Sequence, residues 1–210
     1  MWFSTHQFLS VLTVSLCSLA ARIPSRAARL RGVPGIVFLL DELNHARIER
    51  LWDQMEREFG VPKGYPGALP HFTVHLAAAY DLEATHSLVE EIANTRAPFA
   101  VTTTGLGVFT GELPILYIPV IRTRTLDELH LRLHRSLAPH CSGHVPYYAP
   151  ESWMPHVSIG QVNITPAVLP LLLAWLSQQP LSWEMTAATL AIGENTDTGI
   201  ELFGTFPLRG

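Results

Sequence analysis

The chain has 210 residues, 48% hydrophobic and 15% charged, which suits one globular domain of ordinary size and excludes a disordered chain. Residues 1–33 hold Arg22, Arg26, Arg29 and Arg31 without an acid, leaving ten basic residues against 18 acidic ones in the remainder. A body so acidic is poorly suited to wrapping long RNA or a DNA duplex, because non-specific nucleic-acid affinity comes from neutralised phosphates. The N-terminal FLSVLTVSLCSLAA (8–21) is an apolar run of signal-peptide length, but its positive charge follows the run instead of preceding it. A targeting segment, a misassigned start and a membrane anchor are its three readings; the last is disfavoured because about 14 apolar residues fall short of a bilayer span. Two cysteines, Cys17 and Cys141, make no disulfide framework and fit a reducing, cytoplasmic setting, with export or an organelle as the alternative if residues 1–33 are a targeting segment.

Residues 34–210 read as one domain containing a unit written twice. GIVFLL (35–40) is a short buried strand, and Ile48, Leu51, Trp52, Met55 and Phe59 then form one apolar helical stripe. Glycines and prolines from Gly60 to Pro70 break that helix before the strand HFTVHLA. A second helix over about 83–95 and a strand, FAVTTTGLGVF (99–109), close the first unit. The second unit repeats the order. ILYIPV (115–120) is a strand, and Leu126, Leu129, Leu133 and Leu137 share a helix face. A loop (139–154) precedes HVSIGQV, and Thr165-Pro166 reads as a cap and first residue of a helix to about Gln179, with Pro170 costing a bond or shifting the start. LSWEMTAATLAIG and IELFGTF are the closing strands. The landmarks Ile36, His71 and Phe99 recur as Ile115, His156 and Leu181, at offsets of 79, 85 and 82. The expected fold is α+β: two pseudo-symmetric lobes, each an antiparallel sheet with outer helices, around a central cleft.

Within the units lie Pro70-His71-Phe72-Thr73-Val74 and Pro155-His156-Val157-Ser158-Ile159, each reading proline, histidine, apolar, hydroxyl, apolar. On a strand, residues two apart share a face, so His71 projects with Thr73 and His156 with Ser158. Two imidazoles and two hydroxyls in one cleft suit phosphodiester cleavage. One imidazole takes a proton from water and the other gives one to the leaving oxygen. The hydroxyls donate to non-bridging phosphate oxygens. No metal or other cofactor is required.

The doublet resembles the signature of the 2H phosphoesterase superfamily, the 2′,5′ RNA ligase-like and 2′,3′-cyclic phosphodiesterase proteins, over about 34–210. The resemblance implies a two-lobed fold with His71 and His156 in the catalytic places and Thr73 and Ser158 in the phosphate-binding places. Gln161 stands where bacterial RNA ligase-like members often carry a basic residue. With the acidic body, it favours hydrolysis of a nucleoside 2′,3′-cyclic phosphate or a 2′,5′-linked end. RNA 2′,5′-ligation and a non-catalytic nucleotide- or RNA-end-binding module are the alternatives. The expected partner is a small nucleotide or RNA end, taken by a monomer with no cofactor and no membrane beyond the N-terminal segment.

Four further residues are candidate substrate contacts. His75 is read on the strand face of His71 and Thr73. Tyr148 and Trp153, with Tyr147, lie in the loop entering the second motif, where aromatics can stack a base. Tyr117 faces either cleft or core. His130 and His134 have helical spacing and read as a solvated face with no third metal ligand near. Arg122 and Arg124 are the nearest phosphate-binding cations, with a surface role as the alternative. The sole lysine, Lys63, sits in KGYPG, a poor setting for a lysyl-nucleotide ligase, and no nucleotide-triphosphate loop or G-x-S-x-G elbow is present.

Overall fold

The computed structural model describes residues 33–64, 67–196 and 199–210. The apolar run and arginine cluster at the N-terminus lie outside the described residues. Strand β1 (Gly35–Leu39) is followed by Asp41, whose carboxylate caps helix α1 (Glu42–Phe59) by accepting from the Asn44 N–H. Gly60, at φ 66°, ends α1 in the left-handed conformation that a glycine adopts without penalty. Ile48, Leu51, Trp52 and Met55 of the expected stripe are buried. Strand β2 (His71–Tyr80) follows, then helix α2 (Leu82–Asn94) capped by Asp81.

The expected single strand over 99–109 is two, β3 (Phe99–Thr102) and β4 (Gly107–Phe109). They separate at Thr103, whose hydroxyl donates to the Leu181 carbonyl and accepts from the Trp183 N–H, and at Gly105 with φ 60°. Strand β5 (Ile115–Pro119) leads to helix α3 (Arg124–Leu137), which buries Leu126, Leu129, Leu133 and Leu137. The loop expected over 139–154 contains two short 3-10 turns and strand β6 (Cys141–His144). Strand β7 (His156–Gly160) is the second motif strand. Helix α4 is Leu169–Leu176, and Thr165 only closes a preceding turn. Pro170 thus falls in the first helical turn, where its missing N–H costs no bond. The last expected strand pair is three strands: β8 (Glu184–Ala187), β9 (Thr189–Thr196) and β10 (Gly199–Pro207).

The main sheet runs β10-β9-β1-β2-β7-β5-β4, with β6 on the far half of β2 and β3-β8 as a separate ribbon; every pairing is antiparallel. Strands β2 and β7 share one Cα pair, Phe72 with Val157, and there the sheet divides into its two lobes. The lobes are not successive halves of the chain. Strand β4 from the first unit joins β5, while β9 and β10 from the second join β1. The helices cross over in the same way: α1 packs against β7 and α3 against β2. This exchange ties both motif strands to both halves of the chain. Among the described residues, no helix is long and apolar enough to cross a membrane.

Candidate active site

Phe72 and Val157 are buried at 1% and 0% exposure and pair across the junction of the lobes. Antiparallel register then sets His71 beside Ser158 and Thr73 beside His156, all four on the opposite face from Phe72 and Val157. These four side chains are half-buried, and His71 and Ser158 line one concavity together. A second concavity beside it is lined by His71, Thr73, Leu76 and residues of β1, β9 and β10.

The two imidazoles are held alike. His71 Nδ1 lies 2.6 Å from the Leu69 carbonyl and His156 Nδ1 lies 2.7 Å from the Met154 carbonyl. A carbonyl only accepts, so each Nδ1 carries a proton and donates it, leaving Nε2 to exchange protons. The prolines of the motif explain the match. Pro70 and Pro155 fix their own φ and hold the preceding residue extended, which presets the carbonyl that each histidine meets. Their own carbonyls accept from Leu40 N–H and Val120 N–H, just beyond β1 and β5. Burial pushes His71 below the ordinary imidazole pKa, against the pull of the Leu69 hydrogen bond.

His75 does not share this face. Ile36 pairs with His75 but Val37 with Thr73, so Val74 is an extra residue and the alternation of side chains inverts after it. Leu76 continues the cleft wall, while His75 is buried at 1% exposure against Tyr80, His134 and His144. Strand β7 has the matching irregularity: Tyr117 pairs with Ser158 and Leu116 with Gly160, leaving Ile159 extra. The last apolar residue of each motif is therefore a bulge. Each bulge interrupts the regular alternation of its strand just beyond the shared pair.

Of the aromatic candidates, Tyr117 stands beside the site. Its ring stacks on Phe109 at 4.1 Å and meets the edge of His156 at 5.2 Å. Phe109 also meets His156, at 4.9 Å, and was not singled out from sequence because its place depends on β4 joining the second lobe. A Cβ at Gly107 would overlap the Tyr117 ring, so glycine is needed there. Tyr148 and Trp153 are instead buried, at 6% and 2% exposure. Trp153 stacks on His130 at 3.9 Å and donates from Nε1 to the Thr73 carbonyl, supporting the motif strand from behind. His130 is therefore core, at 1% exposure, and not part of a solvated face. Arg122 is engaged by Asp127 and the Trp153 and Pro150 carbonyls, and the exposed Arg124 by Glu128. Among the described residues, the cation lining the concavity of His71 and Ser158 is Lys63, together with Gln161. Its Nζ lies 3.5 Å from Glu49.

The family model described as the 2'-5' RNA ligase superfamily matches residues 40–197, spanning both motifs. The chain belongs to that superfamily. The 2H phosphoesterase fold is shared with solved structures. TT0787 of Thermus thermophilus superposes with a TM-score of 0.60 at 16% identity, over 85% of this chain and 98% of that one. The Escherichia coli protein LigT in complex with 3'-AMP gives a TM-score of 0.53 at 14% identity, over 85% and 98% of the two chains. The crystal structure of a phosphoesterase gives 0.54 at 13% identity, over 85% of this chain and 99% of that chain. No curated protein matches the chain in sequence. Membership of the superfamily supports phosphoesterase or ligase-type activity.

Proposed function

We propose that the chain is a metal-independent phosphodiesterase that hydrolyses a nucleoside 2′,3′-cyclic phosphate or a 2′,5′-linked RNA end. The observation that carries this reading is the register through Phe72 and Val157, which gathers two identically tethered histidines and two hydroxyls on one face. His71, held neutral by desolvation, takes a proton from water at Nε2. The water oxygen bonds to phosphorus as the bond from phosphorus to the departing ribose or 5′ oxygen breaks, and His156 Nε2–H protonates that oxygen. Thr73 and Ser158 hydroxyls donate to the non-bridging oxygens, whose charge is redistributed along the reaction. Release of the proton from His71 and reprotonation of His156 by solvent complete the cycle. Tyr117 and Phe109 form an aromatic wall beside His156, suited to a base.

The binding of 3'-AMP by LigT fits a small nucleotide as ligand of this cleft. The excess of acid over base in residues 34–210 disfavours a long RNA, and one chain supplies every group of the site. The test is a screen of the four 2′,3′-cyclic nucleotides and a 2′,5′-linked dinucleotide, with identification of the monophosphate isomer. Turnover of at least one, giving a single isomer, is expected. Saturable binding without product from any of them overturns the enzymatic reading in favour of a binding module.

A further inference from the structure

Across the sheet from the cleft, the bulge at Val74 delivers His75 into a pocket of nitrogen and sulfur ligands. Donor atoms of His75, Cys141 and His144 all lie within 4.8 Å of one another. Cys141 Sγ is 3.7 Å from His144 Nε2, and about 3.3–3.8 Å is the separation expected of two ligands on one tetrahedral zinc with bonds of about 2.0–2.3 Å. His134 stands just outside this set, its ring centre 5.5 Å from that of His75 and 5.4 Å from that of His144.

Two of these histidines carry buried ring nitrogens with no hydrogen-bond partner among the described residues, His75 Nε2 and His134 Nδ1. An orphaned imidazole nitrogen inside a protein is costly unless something binds it. The other nitrogen of His75, Nδ1, lies 2.6 Å from the Tyr80 hydroxyl. With Nδ1–H donating to that oxygen, Nε2 keeps its lone pair, as in a metal-bound histidine oriented by an outer hydrogen bond.

We propose that His75, Cys141 and His144, completed by His134, form a zinc site on the face of β2 turned away from the phosphodiester cleft. Three imidazoles and a thiolate suit a borderline-soft, tetrahedral ion, and the absence of an oxygen ligand in the set disfavours magnesium and calcium. Binding converts the Cys141 thiol to a thiolate and releases its proton to solvent; the imidazoles bind as neutral rings and nothing is oxidised or reduced. The ligands come from β2, from both ends of the edge strand β6, and from the last turn of α3. The ion therefore pins β6 and α3 to the strand that carries His71 and Thr73. With His134 drawn in as the fourth ligand no position is left open, so the role is structural and the hydrolytic step does not pass through the ion.

The test uses the full chain, stripped with chelator and titrated with zinc and with cobalt(II) as a spectroscopic stand-in. Saturable uptake of one ion per chain is expected, with a thiolate-to-cobalt charge-transfer band and a zinc-dependent rise in melting temperature. Cys141→Ser and His144→Ala, both at the solvent edge of β6, should each weaken zinc binding at least tenfold, whereas His71→Ala should bind as the parent does. Failure to take up zinc stoichiometrically overturns the proposal. So does a cobalt adduct without the thiolate band, an affinity unchanged in both β6 variants, or uptake lost in His71→Ala, which would place the ion in the cleft.

Discussion

Phe72 and Val157 are the one Cα pair that joins the two motif strands, and each is the apolar residue between a histidine and a hydroxyl. The same contact that closes the core therefore sets the spacing of the catalytic groups. Phe72 also stacks on Phe38 at 5.2 Å. Phe72→Ala should cost about 3–5 kcal/mol of stability, and Phe72→Leu less than about 2 kcal/mol. Both are read by denaturant unfolding. At a temperature where the variant is folded, Phe72→Ala should still lower kcat, because His71 and Ser158 lose their shared anchor. Full kcat in that variant would separate packing from catalysis.

The hydroxyls should act on kcat more than on KM, since charge on the phosphate changes during the reaction. Thr73→Val and Ser158→Ala are each expected to lower kcat by about 10²–10³-fold. Thr73→Ser, which restores the donor, should recover most of it. Steady-state kinetics on one cyclic nucleotide decides this, and loss confined to KM would assign the hydroxyls to ground-state binding alone.

The pH dependence follows from His71. Its folded pKa lies below the ordinary value of 6.5, so it stays neutral, and able to act as base, at pH values where a free imidazole is already protonated. Activity is lost as pH falls through that lowered pKa. The acid limb of kcat/KM should thus have its midpoint below 6.5, and a midpoint above 6.5 would assign the base to another group. The same shift makes folding less favourable as pH drops from the unfolded value towards the folded one.

How much of this was legible in the chain follows from which patterns survive in one dimension. The paired motifs and the stripes of α1 and α3 have fixed periods, so residues such as Leu129 or Met55 announce their side of a helix. The bulges at Val74 and Ile159 do not. Val74 looks like any β-branched strand residue, and only its pairing with β1 shows that it inverts the side chains after it, which carries His75 out of the cleft. The exchange of β4 and β9-β10 between lobes was hidden for a similar reason. Phe109 and Glu184 each sat inside one apparent run that the fold divides between two sheets. His130 read as solvated because nothing local to α3 shows that Trp153, 23 residues on, covers it.

Gly107 tests the aromatic wall. Gly107→Ala would drive its methyl into the Tyr117 ring, displacing Tyr117 and with it Phe109 from His156. A rise in KM for cyclic nucleotides is expected, with binding weakened by about 1–3 kcal/mol if the wall stacks a base. Tyr117→Phe, which keeps the ring, should bind nearly as the parent. An unchanged KM in Gly107→Ala would remove the wall from the substrate site.

Lys63 is half-exposed and shared with Glu49, so its effect should be modest. Lys63→Gln should raise KM about two- to five-fold, in line with about 0.5–1 kcal/mol for an exposed charge pair, and the difference should shrink at high salt. An equal loss at low and high salt would point to a role other than attraction of the phosphate.

The central claim is that His71 and His156 together cleave a phosphodiester. Its most direct test is the turnover of the cyclic nucleotide that the parent hydrolyses fastest, measured for His71→Ala, His156→Ala and the double variant. Each single variant should lose about 10²–10⁴-fold in kcat with its fold intact by circular dichroism, and the double variant little more, because the two groups act in one step. Parental turnover in either single variant would contradict the account.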